Sequence, residues 1–118
     1  DIVCVTNHIK GRETNFRRLT EIDEIISVKS EVGRTESNKV FVWNPKTDKF
    51  EFNKDSVIVK KTMDNTGIKK ETLDKEFNAR TKLLAKLVEQ KIFDFKRVNE
   101  IFNIYIKNKE ALPKELQV

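Results

Sequence analysis

Lys10, Arg12, Arg17 and Arg18 crowd four cations into residues 10–18, and ammonium and guanidinium groups at that density suit recognition of phosphate or carboxylate. In a strand Arg17 and Arg18 point to opposite faces, so only one of them can enter a given site. Two readings follow. One arginine holds a phosphate, or a carboxylate across a subunit boundary; or the pair is ordinary surface, with a salt bridge to Glu21 or Glu24. Arg80 falls on an apolar helical stripe, where its stem covers core side chains and its head reaches an acid at the edge. His8, the single histidine, has no partners for a metal cluster or a nucleophilic triad and reads as a strand-end residue facing solvent or a neighbour. Three glycines cannot build a Gly-rich phosphate loop. The chain on its own therefore offers no catalytic, cofactor-binding or metal-ligating set. Phe41, Trp43, Phe50 and Phe52 beside Lys46 and Lys49 have the composition of a base-stacking platform, but aromatics in a hairpin more commonly face a core.

These residues need elements to position them. Ile2 to Val5 is a continuous apolar run, the pattern of a strand covered on both faces as in a parallel α/β sheet. The expectation is a piece of a larger sheet; the alternative is an amino-terminal edge strand of a small α+β domain. Cys4, alone in the sequence, reads as an inert packed thiol within that strand. After a turn at Lys10–Glu13, residues 15–26 form an antiparallel strand with Arg18, Thr20 and Glu24 on a polar outer face. A short helix over Leu19–Ile26 competes with that reading. Ser30 to Asn38 is a loop. Val40–Trp43 and Phe50–Phe52, joined across Asn44–Lys49 with Pro45 in the turn, form a β-hairpin. Phe50 and Phe52 point to a core.

Three helices follow. Asp55 or Ser56 caps the first, with Val59 and Met63 on one face and Gly67 closing it. The second runs from Lys70 to Gln90 along a stripe of Leu73, Phe77, Leu84, Leu87 and Val88, widened by Leu83. Asp94 caps the third, Phe93 and Val98 staple it, and Val98, Ile101, Phe102, Tyr105 and Ile106 line its inner face. The short link makes the last two helices antiparallel neighbours. Residues 1–54 are expected to form terminal strands and hairpin, 55–112 a helical subdomain, and 113–118 a frayed tail.

The 118 residues suffice for one domain, with 37% hydrophobic and 36% charged side chains. Eight phenylalanines carry much of the core-forming capacity. No run approaches the length of a membrane span, and a lone cysteine supplies no disulfide framework, so a cytosolic setting is expected. The net charge of +5 is spread among nineteen acids. Such a balance permits nucleic acid, acidic proteins or anionic lipid without choosing among them.

Arg17-Arg18-Leu19-Thr20-Glu21-Ile22-Asp23-Glu24-Ile25, then Val40-Phe41-Val42-Trp43-Asn44-Pro45 and Lys49-Phe50-Glu51-Phe52, resemble the carboxy-terminal end of the secretion-superfamily motor ATPases. The likeness is to the archaeal branch that drives type IV pilus and archaellum assembly. Arg80 to Gln90, Lys91-Ile92-Phe93-Asp94-Phe95 and Val98 to Tyr105 are similar to that family's final helical section. Each motif is moderately specific; their order along nearly the whole chain carries the resemblance. It implies an α+β fold, antiparallel strands with a β-hairpin followed by three helices, forming the terminal part of a RecA-like α/β ATPase domain. It implies a parent that is a cytoplasmic homo-hexamer, held at the inner membrane face by a platform protein, with ATP and Mg bound upstream of Asp1 and no nucleic acid partner. Arg17 and Arg18 match the family's arginine pair and inherit a subunit-contact or sheet-bracing role. Thr6 and His8 depart from the family's Gln and Arg, so no polar role transfers to them. The contrasting expectation is a small basic module that binds nucleic acid or an acidic protein.

Overall fold

The computed structural model describes residues 1–29, 31, 33–53 and 55–118, with the backbone alone for Val28 and Lys29. The fold is α+β: a four-stranded antiparallel sheet followed by three helices. Asp1–Gly67 and Ile68–Val118 are two compact units.

In the first unit β1 (Ile2–Lys10), β2 (Asn15–Lys29), β3 (Arg34–Asn44) and β4 (Lys49–Phe52) pair in sequence order, every neighbour antiparallel. Short connections dictate this, because a tight turn can only join antiparallel strands. The parallel, doubly covered environment expected for Ile2–Val5 is thus corrected. β1 is an edge strand, with Ile2 58% and Val3 44% exposed, and Cys4 is exposed, not packed. Four strands with one helix in the unit cannot cover two sheet faces.

The strand reading of residues 15–26 holds over the helical one, and β2 runs on to Lys29. The expected loop is corrected in part: Arg34–Asn38 extend β3, while Ser30 and Val32 lie outside the described residues. Cross-strand pairing to β2 decides this stretch, where local composition spoke for a loop. Val5 faces Glu21 and Thr6 faces Leu19, so Thr20 is an extra residue, a bulge in β2. Its hydroxyl donates to the Val5 carbonyl at 3.2 Å and accepts from the Asn7 amide at 2.9 Å, filling the gap in the ladder.

The hairpin forms as expected, with Trp43 opposite Phe50 and Phe41 opposite Phe52. Phe41 and Phe52 stack at 4.8 Å between centroids. The core assigned to the second strand is a correction, since Phe50 and Phe52 are 44% and 53% exposed. Among the described residues of this unit only Val40 and Glu24 are buried.

Helix α1 (Val57–Thr66) starts at Ser56, whose hydroxyl accepts from the Val59 N–H at 3.1 Å. It stops at Gly67, whose φ of +70° places it in the left-handed region that favours glycine. The unit boundary expected near residues 54 and 55 lies instead after Gly67, because a β2 side chain holds the start of α1.

The second unit contains α2 (Lys70–Glu89) and α3 (Phe95–Asn108). Asp94 caps α3, accepting from the Arg97 N–H at 3.0 Å. Tyr105, late in α3, donates its hydroxyl to Glu76, early in α2, so the two helices run antiparallel. Their buried contact is Leu83 and Leu87 against Ile101 and Tyr105. Of the expected α2 stripe, Leu87 and the widening Leu83 face this core, whereas Phe77, Leu84 and Val88 do not. Phe77, Leu84 and Val88 are 52%, 51% and 61% exposed, because Glu76, Ala79, Leu83 and Leu87 take the inner line. On α3, Phe102 and Ile106 likewise face outward, and Phe93, 68% exposed, forms no buried staple. None of the eight phenylalanines is buried.

The tail expected to fray packs instead. Two short turns, Lys109–Ala111 and Lys114–Leu116, bring Leu112 and Leu116 to 3% and 2% exposure. Val118 rests on the same cluster. Pro113, beyond the end of α3 at Asn108, fixes an extended step between the two turns that returns the chain to the core.

Candidate functional site

The sheet does not gather the four basic candidates into one site. Arg17 sits across from His8, and Lys10 across from Asn15. Lys10, Arg12 and Arg17 are all exposed. His8 is exposed as well, its Nε2 hydrogen-bonded to the Asn15 side chain. Arg18 points to the opposite face from Arg17 and is committed elsewhere. Its guanidinium lies 4.9 Å from the Phe16 ring centroid and 5.8 Å from that of Trp43. One terminal nitrogen reaches both Asp48 oxygens, at 3.0 and 3.1 Å. The expected partners Glu21 and Glu24 are corrected to Asp48, and the reason is visible in their other bonds. Glu21 is paired with Lys39 at 2.9 Å, and Glu24 faces a helix terminus.

Asp48 also accepts the Trp43 indole N–H at 2.9 Å, from a backbone with φ of +52°. Aspartate tolerates this conformation better than most residues do. One carboxylate thereby joins the middle of the sheet, the hairpin and its turn. Asn44 steadies the same turn by accepting the Lys46 N–H at 2.9 Å. Both charges of the Arg18–Asp48 pair are more than a third exposed, so the bridge itself contributes about 1 kcal/mol at most. Arg18→Ala is expected to cost little global stability, yet to loosen the turn, read as faster amide exchange at Asp48 and Lys49. Unchanged exchange there would contradict this role.

Glu24 was expected on a polar outer face; it is instead 4% exposed, an acid carried by β2 to the start of α1. It accepts from the Val57 N–H at 2.7 Å, the Ile58 N–H at 3.2 Å and the Asn38 amide at 3.2 Å, and from the Ser56 hydroxyl. Burial pushes its carboxyl upward, but the Ser56, Val57, Asn38 and Ile58 donors together outweigh burial and hold it below the usual carboxylate range. Free N–H groups at a helix start attract negative charge, so the site is filled by the protein's own carboxylate. Strand alternation puts Glu24 with Arg18 and Thr20 on an outer face, and it is the start of α1, bonded to the Glu24 carboxylate, that buries it. A Ser before an apolar run marked the helix start, but nothing local named the acid 32 residues earlier that completes it.

In the second unit Arg80 fulfils its structural reading. Its Nε donates to Glu76 Oε1 at 2.8 Å, and the Tyr105 hydroxyl donates to the same oxygen at 3.0 Å. The Arg80 hydrogen bond is the main influence holding the Glu76 carboxyl below its ordinary value. Burial, then Glu76, raises the Tyr105 phenol. These groups, with Lys107 and Lys109, line an open cleft of about 450 Å³. Among the cations there, Arg80 and Lys109 act on Glu76, and the Arg80–Glu76–Tyr105 arrangement braces the two helices.

Among the described residues no group of three or more His, Cys, Asp or Glu side chains is placed to hold a metal ion. No described helix is long and apolar enough to cross a membrane. What the geometry can do is mechanical: Arg18 and Asp48 lock hairpin to sheet, and Glu24 locks helix to sheet.

No family model matches the chain. A protein of Methanocaldococcus jannaschii, described as uncharacterized, is 29% identical over 89 residues, 75% of this chain and 33% of that protein. The chain thus spans about a third of the length of that curated relative.

Proposed function

We propose that the chain is the carboxy-terminal portion of a hexameric motor ATPase of the secretion superfamily, which powers pilus or archaellum assembly or protein secretion. In this reading it supplies the terminal part of a RecA-like domain. The observation that carries the proposal is the Arg18–Trp43–Asp48 junction. Arg18 of the arginine pair and the Trp-Asn-Pro hairpin are motifs of the resemblance that lie apart in sequence, and their shared bonds to Asp48 clamp them together. A second support is β1, where exposed Ile2 and Val3 lie on an edge strand that a further strand of the parent's sheet would cover.

ATP and Mg would be held by upstream parts of the parent. This segment would complete the motor domain and pass nucleotide-driven motion to neighbouring subunits and to a platform protein at the inner membrane face. Braced hairpins and capped helices move as rigid bodies, which such transmission requires. Lys10, Arg12 and Arg17, left free by the fold, would meet acidic groups of a neighbouring subunit.

A second reading has its own observation. Phe50 and Phe52 are exposed on either side of Glu51 and beside Lys49, so stacking on a nucleic acid base is sterically open. Titrating the 118-residue chain with Mg-ATP and with single-stranded DNA at low and physiological salt separates the readings. The motor segment should bind neither appreciably at physiological salt. Affinity for DNA that falls steeply with salt would support the basic binding module instead, and tight Mg-dependent ATP binding would contradict both.

A further inference from the structure

We infer that the outer face of the α2–α3 hairpin is a contact surface for a second copy of this chain. Phe77, Leu84 and Val88 each follow an inward-facing residue of α2 by one position; Phe102 and Ile106 do the same on α3. One residue along a helix is a rotation of about 100°. In two antiparallel helices that rotation turns both stripes to the same side of the pair, and Phe95 falls on that side too. The opposite side is closed by Leu112, Leu116 and Val118 against Ala79 and Ile104.

The six side chains are 52% (Phe77), 51% (Leu84), 61% (Val88), 82% (Phe95), 36% (Phe102) and 74% (Ile106) exposed. Side chains of these sizes then leave about 600 Å² of apolar surface on one face. A stable dimer takes ~800 Å² from each partner, so this patch supplies most of one. Its chemistry chooses the occupant. Between the apolar residues lie Thr81, Ala85, Asn99 and Asn103, all exposed and none charged. Copies of a chain with net charge +5 repel, and a face cleared of charge is where they can meet. Unlike partners rely on charge for steering and register, whereas interfaces between identical chains are the more apolar class.

The test asks nothing of the motor reading and uses the chain as it stands. Sedimentation equilibrium should show concentration-dependent dimerisation. Leu84→Glu and Ile106→Glu should each weaken it by about tenfold or more, with the helical circular dichroism unchanged and, at dilutions where the chain is monomeric, the thermal midpoint unchanged too, because both side chains start exposed. A chain that stays monomeric up to its solubility limit overturns the inference, including one that instead takes up an amphipathic peptide or a detergent. So does a dimer that survives both substitutions and yields to Ile2→Glu on β1.

Discussion

Ile101→Ala is expected to cost the helical unit about 2–5 kcal/mol. Ile101 is fully buried and Leu83 is 2% exposed, and both meet Leu87 and Tyr105 in the cluster that joins α2, α3 and the tail. Alanine removes transfer free energy and leaves a cavity that Leu112 and Leu116, pinned by their own turns, cannot refill. Leu83→Ala should behave alike. Phe77→Ala, by contrast, should change stability by less than about 1 kcal/mol, since half of that ring already faces water. Denaturant unfolding followed at 222 nm decides the matter. Equal losses for Ile101→Ala and Phe77→Ala would mean that the helices pack through the other stripe.

Glu24→Gln should destabilise the sheet unit by about 1–3 kcal/mol, the cost of leaving buried donors without an acceptor. An amide side chain keeps one acceptor, but its NH2 takes the place of the other oxygen and faces either the Val57 or the Ile58 N–H, which donate to different Glu24 oxygens. The single tryptophan, Trp43, lies in this unit and reports its unfolding. The pH dependence has a definite sign. A carboxyl held low in the folded state contributes stability fully present above its unfolded value of about 4.3 and lost as pH falls through the lower folded value. The native chain should therefore lose stability on acidification below about pH 5, and the glutamine variant should lose less over the same window. Parallel acid profiles would remove Glu24 from its assigned place.

Much of the architecture was legible. The hairpin showed itself by β-branched and aromatic runs around Pro45, and the helix starts by Ser56 and Asp94, because turns and caps are local chemistry. Only part of the expected α2 stripe, Leu83 and Leu87, faces the core, for a definable reason. Leu83-Leu84 and Leu87-Val88 are adjacent apolar pairs, so periodicity alone fits two lines one residue apart. The side chains of Ala79 on α2 and of Ile101, Tyr105 and the tail decide which line goes inside. The tail itself looked polar around Pro113, and only tertiary packing shows Leu112 and Leu116 as core. In the candidate site, the opposed directions of Arg17 and Arg18 followed from strand geometry. The partner of Arg18 did not, since Asp48 reaches it through the hairpin fold.

The reading as part of a motor is tested most directly by ATP hydrolysis in the full-length product of the gene that encodes this segment. Mg-dependent hydrolysis is expected, together with a Gly-x-x-x-x-Gly-Lys-Ser/Thr loop upstream of Asp1, while the 118-residue chain alone stays inert. A full-length product that has neither the loop nor the activity would contradict the account.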